Sequence, residues 1–408
     1  MGWIRSGAVL LALALAAVVP ATSSAAPAHP SPLPSRTSVP LGSAIWFGCT
    51  TAAYSGPATL ACRVNPYDAR YSATLTQNFD RVTAENEFKM LWTQPKKGQF
   101  DFRAADGIAA FAAANGKTVR GHALVYPAAN PAWIDKPFLL TPWNRTSLLN
   151  TMRTHIYTMV NHFKSRFPGV VTEWDVVNEP FVSSGARHNN VYQRVIGNDW
   201  IEQAFRAANE ADPNALLYLN EFEADTANAR QAAVYALASD FVRRGVPIDG
   251  VGLEMHIGAN GRYPTLAELK NVMAQYAALG LRVSVTEVDV LRPTTGDPVL
   301  VQRAAYDTVA RACQESTNCA GVTVWGVADQ YSWRDAPNMA TLFNSTFATK
   351  RAYDLVRCRL SDPKPLTGAW TPKDCGPIEV VPPSATTQPT GPTDGPSVGS
   401  DPPTPPGP

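Results

Sequence analysis

Two glutamates stand where a strand gives way to polar residues, a setting suited to proton chemistry. Glu179 follows the run Trp174-Asp175-Val176-Val177-Asn178 and precedes Pro180, and Glu287 leads the run Glu287-Val288-Asp289-Val290. Val176 and Val177 are β-branched and read as a buried strand. Pro180 must end it, because proline has no N–H for the ladder. That leaves Asn178 and Glu179 at the carboxyl end. The same pattern recurs along the chain. Apolar runs are followed by Glu85, Asn86 and Glu87 with Lys89 beyond, by Asn220 and Glu221, and by Glu254 and His256. Another run contains His122 and ends at Tyr126, and the last ends at Trp325, with Trp333 in the loop after it. Each residue alone has a plain explanation: a solvated glutamate at a strand exit, a hydrogen-bonded core histidine, a packed tryptophan. Packing does not explain why successive strand ends all turn polar.

The elements that must position these residues follow from the rhythm of the chain. Eight short β-branched runs fall at 44–47, 81–84, 118–125, 173–177, 216–219, 251–255, 282–286 and 321–325. Helical patterns lie between them, among them 104–115, 148–167, 199–211, 228–244, 266–279 and 300–313. Strand–helix alternation predicts an α/β fold with a parallel sheet, and eight units close into a (β/α)8 TIM barrel as a single catalytic domain. The competing doubly wound sheet would want a Gly-rich phosphate loop after an early strand, and the sequence has none. In a barrel the carboxyl ends of all strands face one mouth.

Two carboxylates across such a mouth suit glycoside hydrolysis. One arrives protonated and gives its proton to the leaving oxygen; the other arrives ionised and attacks the anomeric carbon. Indole rings offer flat apolar floors to sugars, and Asn, Glu and Lys fix the hydroxyls around them. A metal-dependent hydrolase is the weaker reading. His122 and His256 lie on different strands, and neither HExxH nor CxxC spacing occurs. No metal and no cofactor are expected.

The bulk numbers agree with an ordinary globular enzyme. The chain has 408 residues, 45% hydrophobic and 17% charged, with a net charge of +1. Such a charge points to neither nucleic acid nor an anionic membrane as partner, and a monomer is expected. Residues 1–26 have a charged end, an apolar run and a small-residue exit, the form of a secretory signal peptide, so the protein is expected to be secreted and extracellular. Residues 27–40 read as a disordered leader, 41–376 as the catalytic domain and 377–408 as a Pro/Thr/Ser/Gly-rich disordered tail. Six cysteines suit an oxidising compartment. Nearness in sequence suggests Cys49 with Cys62, Cys313 with Cys319 and Cys358 with Cys375, out of fifteen possible pairings.

The stretches TAENEFK (83–89), VRGHALV (119–125), WDVVNEP (174–180), LYLNEF (217–222), VGLEMH (251–256), VTEVDV (285–290) and VTVWGVAD (322–329) together resemble the family 10 glycoside hydrolases, retaining endo-β-1,4-xylanases. The resemblance runs over about residues 41 to 360. It implies Glu179 as acid/base and Glu287 as nucleophile. It implies Asn178 and His122 on the sugar in subsite −1, and His256 bonded to Glu287 to keep it ionised. Glu85, Asn86 and Lys89 would grip subsite −2, and Trp325 and Trp333 would form floor and wall. Tyr126 and Asp289 would support these groups, and Cys313–Cys319 matches a common local disulfide of the family. The substrate it implies is xylan.

This chain departs from the family at several places. The family usually reads TLVWHSQ after the histidine that matches His122; here it is ALVYPAA, so Tyr126 stands for Trp, Pro127 for His and Ala129 for Gln. Glu254 stands for Gln, Met90 for Trp and Ala328 for Arg. These changes fall on the −1 and −2 side and bear on the glycone rather than on the reaction. They leave room for another β-linked glycan or glycoconjugate as substrate, and, from another class, for a barrel that binds carbohydrate without turnover. Glu254 is either a third carboxylate that shares its titration with Glu179 and Glu287, or a group paired with Arg or Lys and silent.

Overall fold

A computed structural model describes residues 38–48, 63–64, 68–136, 142–260, 262–294, 296–334, 339–365 and 371–376. The expected signal peptide, the Cys49–Cys62 pair, the tail and all but the last three residues of the leader lie outside them. The eight strands are β1 (Leu41–Ile45), β2 (Arg81–Ala84), β3 (Thr118–Val125), β4 (Val171–Asn178), β5 (Leu216–Glu221), β6 (Gly250–Leu253), β7 (Arg282–Val290) and β8 (Cys319–Val324). Each pairs in parallel with the next, and β8 returns to β1 with Leu41 opposite Val322, closing the barrel.

A helix follows each strand: α1 (Ala69–Asn78), α2 (Arg103–Ala114), α3 (Arg145–Arg166), α4 (Trp200–Ala211), α5 (Ala229–Arg244), α6 (Leu266–Ala278), α7 (Pro298–Glu315) and α8 (Arg351–Leu360). Local chemistry sets their starts. Asn144 and Thr265 form capping boxes with Ser147 and Glu268, and Asp297 caps α7 ahead of Pro298. Val39, placed in the leader by the sequence, is buried and donates to the carbonyl of Leu360 at the end of α8 (2.8 Å).

Two strand bounds differ from expectation in ways that matter to the mouth. β6 stops at Leu253 rather than 255, since Met255 takes a left-handed backbone (φ +61°) that no strand accommodates. β7 runs on to Val290, because Val288 and Val290 keep the apolar alternation while Glu287 and Asp289 take polar partners.

The strand faces divide the molecule into two interiors. Outward residues pack on the helices: Trp174 lies 6.0 Å, ring centre to ring centre, from both Phe88 and Phe163. Full burial of such side chains contributes roughly 1.5–3 kcal/mol each. Gly121 is required here, since a Cβ at that position would fall 2.1 Å from the Trp174 ring. Inward residues form a buried chain of alternating charge. Arg81 reaches Glu173 (2.7 Å), Glu173 reaches Arg120 (3.1 Å), Arg120 reaches Asp175 (3.0 Å), and Asp175 holds Nδ1 of His122 (3.1 Å). Breaking one member of such a chain leaves an uncompensated buried charge, which costs about 3–5 kcal/mol. This layer is the floor on which the mouth is built. Two disulfides lie within the described residues, Cys313–Cys319 and Cys358–Cys375, with Cα atoms 5.2 and 5.9 Å apart.

Candidate active site

Irregular register at the strand ends turns the polar residues inward. In β4, Asp175 faces Tyr218 and Val177 faces Leu219, so the strand holds one extra residue against β5. Strict alternation from Asp175 would carry Asn178 to the helix side. The extra residue returns it to the interior, opposite Asn220. β7 does the same against β8, where Val285 and Val288 face Val322 and Val324. Thr286, Glu287 and Asp289 all reach the interior network as a result. At Glu179 the backbone itself turns left-handed (φ +50°), which bends the chain away before Pro180.

Asn220 ties the mouth together. Its Oδ1 accepts from the Thr286 hydroxyl (2.7 Å), which fixes the amide orientation. Its Nδ2 lies 2.8 Å from Oδ1 of Asn178, 2.9 Å from Oε1 of Glu287 and 3.0 Å from Oε1 of Glu254. Asn178 turns its own Nδ2 to Oε1 of Glu179 (3.1 Å), and Tyr126 donates its hydroxyl to the same oxygen (2.9 Å). Sequence reasoning placed Asn220 at a strand end without giving it a role, and it passed over Thr286, Arg120 and Asp175. Only their inward position in a shared network marks them.

The two glutamates are pushed in opposite directions. Burial opposes the charge of Glu287, but His122, His256 and Lys89 outweigh it and hold the carboxyl below its ordinary range. His256 places Nε2 3.2 Å from Glu287 and Nδ1 2.9 Å from Asp289. Burial also resists a charged His256, yet Asp289 and Glu287 raise its pKa to about 10, so it stays cationic. Glu179 is raised, first by burial and then by the charge of Glu287. One carboxyl is therefore kept as an acid and the other as an anion, the division of labour that acid-assisted displacement requires.

The remaining expected residues fall around this pair. Trp325 is buried and meets the rings of His122 and His256 edge-on at 5.4 and 6.4 Å. Trp333 is 44% exposed, lies edge-on to His256 at 5.1 Å and donates Nε1 to Asp289 (2.7 Å). That leaves an indole face at the rim for an apolar sugar face. Lys89 bonds Asn86 (3.0 Å), and burial lowers its pKa against the pull of Glu287, Glu179 and Glu85. Burial and then Glu87 raise Glu85 to about 8. Two residues of the strand-end set point elsewhere. Glu87 accepts from the backbone N–H groups of Phe47 and Asn86 (2.8 and 3.1 Å), and Glu221 from those of Phe181 and Phe222 (3.1 and 3.2 Å). Both brace loops behind the mouth.

The departures divide the same way. Met90 and Ala328 are buried in the wall. Tyr126 and Glu254 sit against the catalytic pair. Glu254 bonds Asn220, and its ion-pair partner is His256 (3.6 Å), neither Arg nor Lys. Burial, then the charges of Glu287 and Glu179, raise its pKa well above the ordinary carboxyl range. Glu254, His256 and Glu287 each offer a ligand atom within 4.8 Å of the others. A cationic His256, held by two carboxylates, competes with any metal ion there. Glu254, Glu179 and Glu287 titrate as a set. Glu254 and Glu179 share their last proton as a pair, so Glu179 keeps part of it up to the higher of the pair's two macroscopic steps. The substitution Glu254→Gln is expected to move the basic limb of the kcat/KM profile to lower pH; a limb that stays in place would make Glu254 silent.

A profile of Glycosyl hydrolase family 10 matches residues 50–358. The chain belongs to that family. Endo-1,4-beta-xylanase 3 of Hypocrea jecorina is 34% identical over 286 residues, 70% of this chain and 76% of that protein. Native xylanase 10B from Thermotoga maritima superposes with a TM-score of 0.69 at 30% identity, covering 79% of this chain and 95% of the other. Xylanase 10B from Thermotoga petrophila, solved in complex with xylobiose, gives 0.69 at 29% identity, covering 79% and 94%. The matched residues hold seven of the eight barrel strands, β2 to β8, and with them Glu179 and Glu287.

Proposed function

We infer that this chain is an endo-1,4-β-xylanase that hydrolyses internal β-1,4-xylosidic bonds of xylan with retention of configuration. The observation that carries the reading is the joining of the two carboxyls in one network through Asn178 and Asn220, with burial and Glu287 raising Glu179 while His122, His256 and Lys89 lower Glu287. Membership of family 10, relatives named as xylanases and a relative solved with xylobiose support the substrate.

In the first step Glu287 attacks the anomeric carbon while Glu179 protonates the departing glycosidic oxygen. His256 and Lys89 hold the attacking carboxylate ionised until the bond forms. Once Glu287 is esterified its charge is gone, so the repulsion that raised Glu179 disappears. Glu179, now an anion, takes a proton from water, and the water oxygen displaces Glu287. Asn178, His122 and Trp325 are assigned to the −1 sugar, Glu85, Asn86 and Lys89 to the −2 sugar, and Trp333 to the wall. The reaction uses no cofactor in this scheme. The signal-peptide pattern at residues 1–26 supports export to the extracellular space, and no helix among the described residues is long and apolar enough to cross a membrane.

Product analysis on glucuronoxylan, arabinoxylan, carboxymethylcellulose and mannan in parallel tests the reading. Short xylo-oligosaccharides from the xylans alone are expected, with the first reducing end formed as the β-anomer by proton NMR. Products from cellulose or mannan instead would shift the substrate to another β-linked glycan, and an α-anomer would remove the retaining mechanism.

A further inference from the structure

We propose that Tyr126 is a positioning residue for the acid/base, directing the proton of Glu179 to Oε2 by donating its hydroxyl to Oε1. The proposal rests on the reading of Glu179 as the acid/base. Both hydrogen bonds that the structure gives the Glu179 side chain end on one oxygen: Tyr126 at 2.9 Å and Asn178 Nδ2 at 3.1 Å. Asn178 cannot be turned over, because its Oδ1 accepts from Asn220, and Asn220 is fixed in turn by Thr286. An amide nitrogen only donates. Oε1 is therefore an acceptor, and the one proton of the neutral acid belongs on Oε2.

The ring that carries this hydroxyl is itself held. The Lys89 ammonium lies 5.4 Å from its centre, and the Tyr126 carbonyl accepts from the N–H of Ala129 in the turn that follows β3 (2.9 Å). The family's usual tryptophan at this position has no hydroxyl to offer.

Every other charged or titratable group facing Glu179 acts through space. Glu287 on β7 opposes its ionisation, Lys89 beyond β2 and His256 beyond β6 favour it, and the charge of Glu179 in turn raises Glu221 at the end of β5 and Glu254 beyond β6. Of the titratable groups, Tyr126 alone donates a hydrogen bond to Glu179, and it does so on the same oxygen that Asn178 holds. In glycosylation the Oε2 proton goes to the glycosidic oxygen as the C1–O bond breaks and the Glu287–C1 bond forms. In deglycosylation a water proton returns to Oε2 as the water oxygen bonds C1 and Glu287 leaves as the carboxylate. Oε1 keeps its two donors throughout.

The substitution Tyr126→Phe keeps the ring and removes the donor. The anion of Glu179 loses a hydrogen bond, so its pKa is expected to rise by roughly one pH unit. The basic limb of kcat/KM should rise with it, opposite to the shift expected for Glu254→Gln. With xylan, kcat should fall by about tenfold, because the proton is no longer held on the oxygen that must deliver it. With a dinitrophenyl xylobioside, whose leaving group needs no proton, the rate of the first step should be unchanged. A merely structural role would lower both rates alike. Glu179 is followed directly by carbon NMR in protein labelled at glutamate carboxyls, with Glu179→Gln giving the assignment. A titration that does not move overturns the role of Tyr126, whatever the substrate. A titration that moves while the basic limb stays put overturns the proposal through the acid/base reading on which it depends. Equal losses on xylan and on the dinitrophenyl substrate overturn it as well.

Discussion

Replacing Glu287 by alanine is expected to lower kcat/KM on xylan by at least about 10⁴-fold, a loss of about 5.5 kcal/mol of transition-state stabilisation. The carboxylate is the group that forms the covalent bond, and no neighbour can replace it. His256 and His122 are poised toward it, 3.2 and 3.8 Å away, as its electrostatic partners. The substitution leaves the positive charge of His256 in place and opens a small cavity beside the anomeric carbon. Azide or formate added at high concentration should enter that cavity, drawn by the same charge. Attack from there on an activated xylobioside would give an α-linked product by a single displacement. Rate measurement on xylan, with product NMR for the rescue, reads both effects. A variant within tenfold of the parent would remove Glu287 from the nucleophile role.

Replacing Glu179 by alanine is the second large effect, and its signature is selective. On xylan, where the leaving group is a sugar alkoxide, kcat/KM should fall by about 10²–10⁴-fold, the usual contribution of a positioned acid. On a dinitrophenyl xylobioside the leaving group departs unprotonated, so the first step should survive. The second step still needs the base, so the glycosyl-enzyme should accumulate, visible as a burst of dinitrophenolate followed by slow turnover. The basic limb of the pH profile should also disappear, because it reports the carboxyl of Glu179, raised above its ordinary range by burial and by Glu287. Loss of equal size on both substrates would mean that Glu179 supports the fold or the binding rather than the proton transfer.

These two residues were legible because each announces itself locally. A β-branched run that stops at Asn178-Glu179-Pro180 needs no tertiary information to be read as a strand exit, and eight such exits imply a common mouth. The helices α1 and α8 were less visible. α1 has no strongly apolar stripe, and three of its ten residues are buried, Tyr71, Thr74 and Leu75. The charged layer beneath the mouth was hidden for a different reason. Nothing in the local sequence marks Arg81, Arg120, Glu173 and Asp175 as partners; the pairing of β2, β3 and β4 sets their charges facing one another.

By itself, then, the chain determined which residue types lie at which strand ends, since strand, turn and helix signals act over a few neighbours. It determined the barrel too, because parallel strands with helical crossovers have few ways to close. Tertiary structure decided where those residues point and what charge they carry. An extra residue in β4 and another in β7, each defined against a neighbouring strand, bring Asn178 and Glu287 into the same network. The opposed settings of Glu179 and Glu287, like the grip of Tyr126 on one carboxyl oxygen, arise between strands far apart in the chain. Electrostatic and hydrogen-bond effects depend on distance in space, which no spacing along the sequence supplies.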